Sequence, residues 1–363
     1  MNKYNYISRI FLQTPIMLLL LFFSFLYLNL YYGVALLNNH NSIHEVGTLV
    51  NLHDHNIYVK ELNGLNNEQI KYEMNNDFGI AFIFHVLYVK TGISNLFDIY
   101  VFSILFNLFF LLLSFVFYNK ICSKHKLSDG ACLLFFFNFS LVYFVQLINK
   151  DMITIFILLY SLYFSIKGKY KYIIVILPLA FLVRQQLALC LITFLFLLKA
   201  KRTLFWIVVA YIVSSMAAGY ISANLNLISQ QSMGSGFSSY LMKLNSQYYV
   251  GNLLLNPVRV LQYFLSVPQS LIYTINNGKL DLAALLRALT LPLSLMAFSF
   301  LFYSLRNVRS VISTCGREYF LLTYSFFLCW LLNPTINSRY LMLIIPVMVL
   351  GYSYQSKYLG KDE

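Results

Sequence analysis

Long stretches of the chain carry no charge at all. Segments 10–32, 99–118, 131–148 and 204–221 contain no Asp, Glu, Lys or Arg, and each is close to the roughly 17 to 25 apolar residues that a helix needs to cross a bilayer. None has the in-out alternation of a barrel strand, and hydrocarbon offers no hydrogen-bond partner to an open backbone, so these stretches predict helices. Shorter apolar runs follow, separated by small groups of polar residues. The pattern predicts an all-α polytopic transmembrane bundle.

Composition agrees with the pattern. Of 363 residues, 59% are hydrophobic and only 11% charged, and mean hydropathy is +0.68. A water-soluble domain carries about 25% charged residues. The net charge of +13 would suggest nucleic acid in a soluble protein, but here the basic residues lie in short clusters between apolar runs. No basic stripe interleaved with stacking aromatics is present, which argues against nucleic acid. The basic start at Lys3 and Arg9 resembles a signal peptide, yet the first apolar run is long and lacks a clear cleavage site, so it reads as a retained helix.

The basic clusters set the topology. Lys120/Lys124/Lys126, Lys167/Lys169/Lys171, Lys199/Lys201/Arg202 and Arg306/Arg309/Arg317 are expected on the cytoplasmic side, together with both termini. Segment 172–198 lies between two such clusters, so it must cross an even number of times. Two half-length helices satisfy this, with Arg184-Gln185-Gln186 at the tip, where an arginine avoids the cost of mid-membrane burial, about 2.5 to 3.5 kcal/mol. The result is about ten crossings, with eight to twelve compatible with the charge pattern. They fall at 10–32, 98–118, 130–148, 152–166, 172–183, 187–198, 203–221, 282–304, 319–333 and 339–355. Segments 78–89 and 258–273 would break the sign pattern if each crossed alone and are read as re-entrant or interfacial helices. The whole chain, 1–363, is then one integral membrane domain with outer loops at 37–97 and 222–281. The acidic residues provide an independent check: only Asp129, Glu318, Asp362 and Glu363 of the 13 fall inside. The two large outer loops contain no cysteine, so no disulfide framework is expected.

Chemistry should sit on the outer face, where four charged positions interrupt apolar sequence. Asn149-Lys150-Asp151 joins two spans with almost no loop. It fits an interfacial anchor, or a lysine facing phosphate with Asp151 capping the next helix or positioning the lysine. Arg184, followed by Gln185, fits a snorkelling tip residue paired with a loop carboxylate, or a planar fork that suits a diphosphate. Arg339-Tyr340, after Asn333-Pro334-Thr335, fits either an aromatic-belt anchor or a second cation for substrate. Arg259, after Asn256-Pro257, is a further candidate. In the first loop Asp77, ahead of Phe78-Gly79, is the best-placed general base, whereas Glu45, Asp54, Glu61, Glu68 and Glu73 read mostly as a solvated face. His53-Asp54-His55 lacks the helical i, i+4 spacing of common zinc motifs, and His85 reads as a packing residue, so no metal is expected. No phosphate-cradling glycine loop, nucleophile elbow or outer-loop cysteine appears, and no cofactor is expected.

Taken together, Asn76-Asp77-Phe78-Gly79, the Asn149-Lys150-Asp151 junction, the Arg184 tip and Asn337-Ser338-Arg339-Tyr340 resemble the Wzy-type polymerases of O-antigen and capsular polysaccharide, within the wider GT-C-like membrane glycosyltransferases. The resemblance is architectural over most of the chain. It implies polymerisation of undecaprenyl-diphosphate-linked repeat units at the periplasmic face of the bacterial inner membrane. Lys150, Arg184, Arg259 and Arg339 would hold anionic head groups, with Gln185 and Tyr340 beside them, and Asp77 or Asp151 would accept a proton. The implied partners are the lipid-linked glycan, membrane lipid and a chain-length regulator protein. Two other classes fit the same pattern: transfer of a single sugar from a polyprenyl phosphate donor, and transport of a lipid-linked glycan without chemistry.

Overall fold

The computed structural model describes residues 52–66, 77–145, 148–224, 244, 247–276, 287–314, 316–333 and 338–358. The first expected span, 10–32, and the outer-loop acids Glu45, Glu68 and Glu73 lie outside the described residues, as do Asn76, Pro334, Thr335 and Asn337. Everything described is helix or connection, with no strand among the described residues. In chain order the helices are α1 (Leu52–Asn66), α2 (Phe78–Phe84, continued as a π-turn over His85–Lys90), α3 (Ile99–Lys124), α4 (Asp129–Leu133), α5 (Ser140–Val145), α6 (Asp151–Ile166) and α7 (Lys171–Val183). They continue with α8 (Gln185–Lys199), α9 (Thr203–Asn224), α10 (Gly251–Asn276), α11 (Leu291–Arg306), α12 (Val308–Ser313), α13 (Arg317–Trp330) and α14 (Ser338–Tyr358).

Two of these, α3 and α9, are long and apolar enough to cross a bilayer. Expected spans 152–166, 172–183, 187–198 and 319–333 and the described part of 282–304 form helices of 13 to 16 residues, among them the half-length pair expected on either side of Arg184. At 1.5 Å per residue these are about 20 to 24 Å long, short of a hydrocarbon core of about 30 Å. Helix length alone therefore does not support ten full crossings. Segment 130–148 is not one helix either: α4 passes into a 3-10 turn, and Asn138 breaks the run before α5. The segment expected as a short helix over 258–273 is the later part of a 26-residue helix, α10.

Two prolines inside helices explain much of the side-chain wiring. Proline removes the amide that would serve the carbonyl four residues earlier, and that carbonyl then needs another donor. Pro257 frees the carbonyl of Leu253, which accepts from the Tyr211 hydroxyl at 2.5 Å. Pro346 frees that of Met342, which accepts from Asn138 Nδ2 at 3.0 Å. The residue that breaks 130–148 thus repairs α14. Through these bonds α10 continues past Pro257 instead of starting there.

Helix α6 lies at the centre, buried on nearly every face and packed on α3, α7, α13 and α14. The bundle is tied at both ends. At one end basic side chains cap helix C-termini, where the helix dipole is negative: Lys124 Nζ reaches Ile166 O at 2.6 Å, Arg317 Nη2 reaches Leu198 O at 2.9 Å and Lys357 Nζ reaches His125 O at 3.0 Å. At the opposite end lie the starts of α2, α6, α8 and α14 and the end of α13, and there Lys150, Arg184 and Arg339 meet their carboxylates.

Candidate functional site: a buried network of three acids and three bases

The α6–α8 region presents its charges through two tight junctions. The Asn149 side-chain oxygen accepts from the Asp151 amide at 3.0 Å, closing an Asx turn that starts α6. Asp151 is thereby relieved of the capping role, and its carboxylate is free for other partners. Arg184 is the single extended residue between α7 and α8. Its amide donates to Ala180 O at 2.9 Å and its carbonyl accepts from the Leu187 amide at 2.9 Å, so its backbone finishes one helix and starts the next. The third junction depends on glycine. A Cβ on Gly79 would lie 1.6 Å from the carbonyl oxygen of Leu182, so α2 touches the end of α7 backbone to backbone. That contact holds Asp77 against the α6–α7 corner.

The side chains then pair across the fold. Asp151 accepts from Arg184 Nη2 on one oxygen and, at 2.5 Å, from Arg339 Nε on the other. Arg339 also donates through Nη1 to Asp54 of α1, and Lys150 Nζ meets Asp77 at 3.0 Å. The expectation that Asp151 caps α6 or partners Lys150 is therefore corrected: Asn149 makes the turn, two arginines hold Asp151, and Lys150 pairs with Asp77. Among the described residues, three cations and three carboxylates cancel in formal charge. Low dielectric favours this balance, because an uncompensated buried ion is costly.

Aromatic faces and amides enclose the network. Lys150 Nζ lies 5.6 Å from the centre of the Tyr58 ring, and the Arg184 guanidinium lies 5.7 Å from that of Tyr340. Gln186 and Asn333 bridge α8 to the end of α13 at 2.5 Å, while Gln185 faces outward at the start of α8. Arg259 stands apart: it donates to Asn256 Oδ1 at 3.0 Å, to Leu331 O at 2.8 Å and to Asn333 O. His85 bonds Asn66 at 2.7 Å, a packing role. His55 stacks on Tyr100 and accepts from the Ile148 amide at 3.4 Å.

Sequence reasoning missed Asp54 as a member of the site, and with it Tyr58, Gln186 and Asn333. Asp54 looked like one of several loop acids, and its arginine partner is 285 residues away. The only available signal was that Asp54 opens a helix near the outer face, which several other acids share.

The three carboxylates differ in access. Asp151 is 0% exposed, Asp54 26% and Asp77 41%. Asp151 is therefore an internal strut, and Asp54 and Asp77 form the accessible rim. On the cation side, burial lowers the Lys150 amine from an ordinary 10.5 to about 8; nearby Arg184 adds to the fall and Asp77 opposes it. A lowered lysine pKa means that the charged form disappears as pH rises through 8, long before any arginine titrates. Activity or anion binding that needs the ammonium is expected to decline between about pH 7 and 9 and to persist to higher pH in Lys150→Arg. A wild-type pH profile flat to pH 10 would remove Lys150 from the site.

Comparison with protein-family models, with curated proteins and with solved structures finds no match to this chain.

Proposed function

We propose that the protein is a polytopic inner-membrane glycosyltransferase that polymerises undecaprenyl-diphosphate-linked repeat units at the periplasmic face, with the network as its active site. Support for a lipid surround comes from inverted amphipathicity in α10. Leu254, Val258, Leu261, Leu265 and Ile272, on one helical stripe, are exposed, whereas Asn252, Asn256 and Tyr263 are buried beside Phe264 and Val267. A helix facing water does the reverse. The short helices would then serve as half-spans and tilted segments of the bundle.

The observation that carries the reading is the convergence of Asp54, Asp77, Lys150, Asp151, Arg184 and Arg339 at one end of the bundle. A diphosphate entering such a balanced network must exchange with a carboxylate, and the exposed Asp77 and Asp54 are the ones able to leave. Exchange at Lys150 gives the diphosphate its counterion and releases Asp77 as a base in the same step. The acceptor hydroxyl oxygen then attacks the anomeric carbon, the bond to the diphosphate breaks with its electron pair staying on the leaving group, and the hydroxyl proton passes to Asp77. Asp151 keeps Arg184 and Arg339 aligned throughout.

Asp77→Asn is expected to accumulate normally in the membrane, because the residue lies on the rim, and to lower polymerisation by about 100-fold or more. The glycan length profile reads this directly: single repeat units on the lipid should replace long chains, as in a deletion strain. A deletion strain that keeps long chains would sink the polymerase reading. Asp54, an acid of the first outer loop bonded to Arg339, favours a second reading, transfer of a single sugar from a polyprenyl phosphate. Under that reading the deletion yields repeat units short by one sugar.

A further inference from the structure

Between α9, α10, α11 and α13 lies a crevice of about 540 Å³, within the range of small-ligand pockets, about 300 to 1,000 Å³. Ile207, Val260, Leu301 and Phe327 form much of its wall. Its polar residues have turned their polar atoms elsewhere. Tyr211 donates to Leu253 O, Tyr324 to Ile207 O at 2.6 Å and Asn256 Nδ2 to Ser215 at 2.9 Å. The surface left inside is hydrocarbon. At the rim Val208, Leu261, Phe302 and Leu305 are exposed, and Val208 belongs to α9, one of the two helices fit to cross a bilayer. The crevice therefore opens sideways onto an apolar surface.

A cation lies directly behind one end of this slot, without lining it. Arg259 binds Asn256 and Leu331, both of them lining residues, and among the described residues no carboxylate pairs with it, unlike Lys150, Arg184 and Arg339. Its third acceptor, Asn333 O, belongs to the residue that Gln186 ties to the start of α8, next to Arg184. A hydrocarbon slot with a guanidinium behind one end, unpaired with any carboxylate among the described residues, matches an amphiphile with one chain and an anionic head. In a bilayer, surrounding lipid tails are as apolar as the slot, so preference must come from shape and from this head-group charge.

We infer that the crevice holds the polyprenyl chain of the acceptor lipid-linked repeat unit, with its phosphate at Arg259 and its glycan directed to the acid-base network, where Lys150 holds the diphosphate of the donor. This rests on the lipid-linked-substrate reading above and names where that substrate lies. The test measures undecaprenyl phosphate binding to the full-length protein in nanodiscs, with phosphatidylglycerol as competitor. Val208→Trp and Val260→Phe fill the slot, Arg259→Gln removes its charge, and Phe302→Ala widens its mouth. Binding is expected to weaken at least tenfold in each of the first three and to hold in Phe302→Ala, with unchanged thermal midpoints confirming that the filled variants fold. Wild-type binding in both filled variants, or displacement by equimolar phosphatidylglycerol, would overturn the inference. Because binding needs no turnover, the two proposals fail separately. Long chains in a deletion strain would remove the polymerase and leave a polyprenyl site, while single repeat units with unchanged binding in the filled variants would remove only the slot.

Discussion

Asp151→Ala is expected to destabilise the fold by about 3 to 5 kcal/mol, the usual cost of removing one partner from a buried ionic group. Asp151 is fully buried and is the only carboxylate bonded to Arg184 among the described residues, as well as one of two bonded to Arg339. Its loss leaves a guanidinium that is 5% exposed without a counterion. The outcome should be a low steady-state level in the membrane and a thermal midpoint in detergent well below wild type. Restoring the balance should restore the fold: Asp151→Asn combined with Arg184→Gln removes one charge of each sign, and most of the lost stability should return without activity. That recovery separates a strut from a base, because losing a base would leave stability untouched. Wild-type accumulation and melting of Asp151→Ala would refute the network as a stabilising element.

Gly79→Ala should do comparable damage through sterics alone. The added Cβ would meet the Leu182 carbonyl oxygen at 1.6 Å, and both sides of the contact are backbone, so neither can rotate away. The start of α2 must then retreat from α7, at a cost of about 1 to 3 kcal/mol or more for overpacking. The retreat also displaces Asp77, whose 3.0 Å bond to Lys150 depends on that contact. A misplacement of about 1 Å is enough to cost about 100-fold in rate. Gly79→Ala should therefore lower both midpoint and activity, whereas Gly92→Ala, at an exposed turn with a φ of 76°, should lower stability mildly and leave activity alone. Equal activity in Gly79→Ala and wild type would show that α2 does not position the site.

The break at Arg184 was legible because a lone arginine between apolar runs, flanked by two basic clusters, admits few placements. The Asn149-Lys150-Asp151 junction was legible for the same reason. The division of labour among the acids was not. Asp77 stood out by its place ahead of α2, but what separates a strut from an accessible base is burial and partner, both set by residues 33 to 285 positions away. The length of α10 was misjudged because Pro257 looks like a helix break to any local rule. Only the Tyr211 hydroxyl from α9, supplying the Leu253 carbonyl, makes the passage through Pro257 affordable.

By itself the sequence determined that the chain is helical, that its apolar runs call for an apolar surround and that Lys150, Asp151, Arg184 and Arg339 lie at helix junctions. These follow from hydropathy and backbone hydrogen bonding, which act residue by residue. Tertiary structure alone decided which acid meets which base, which carboxylate stays reachable and where a hydrocarbon slot lies beside Arg259. Those depend on Coulomb energy at contact distance and on close packing, and both are properties of residues brought together from distant parts of the chain.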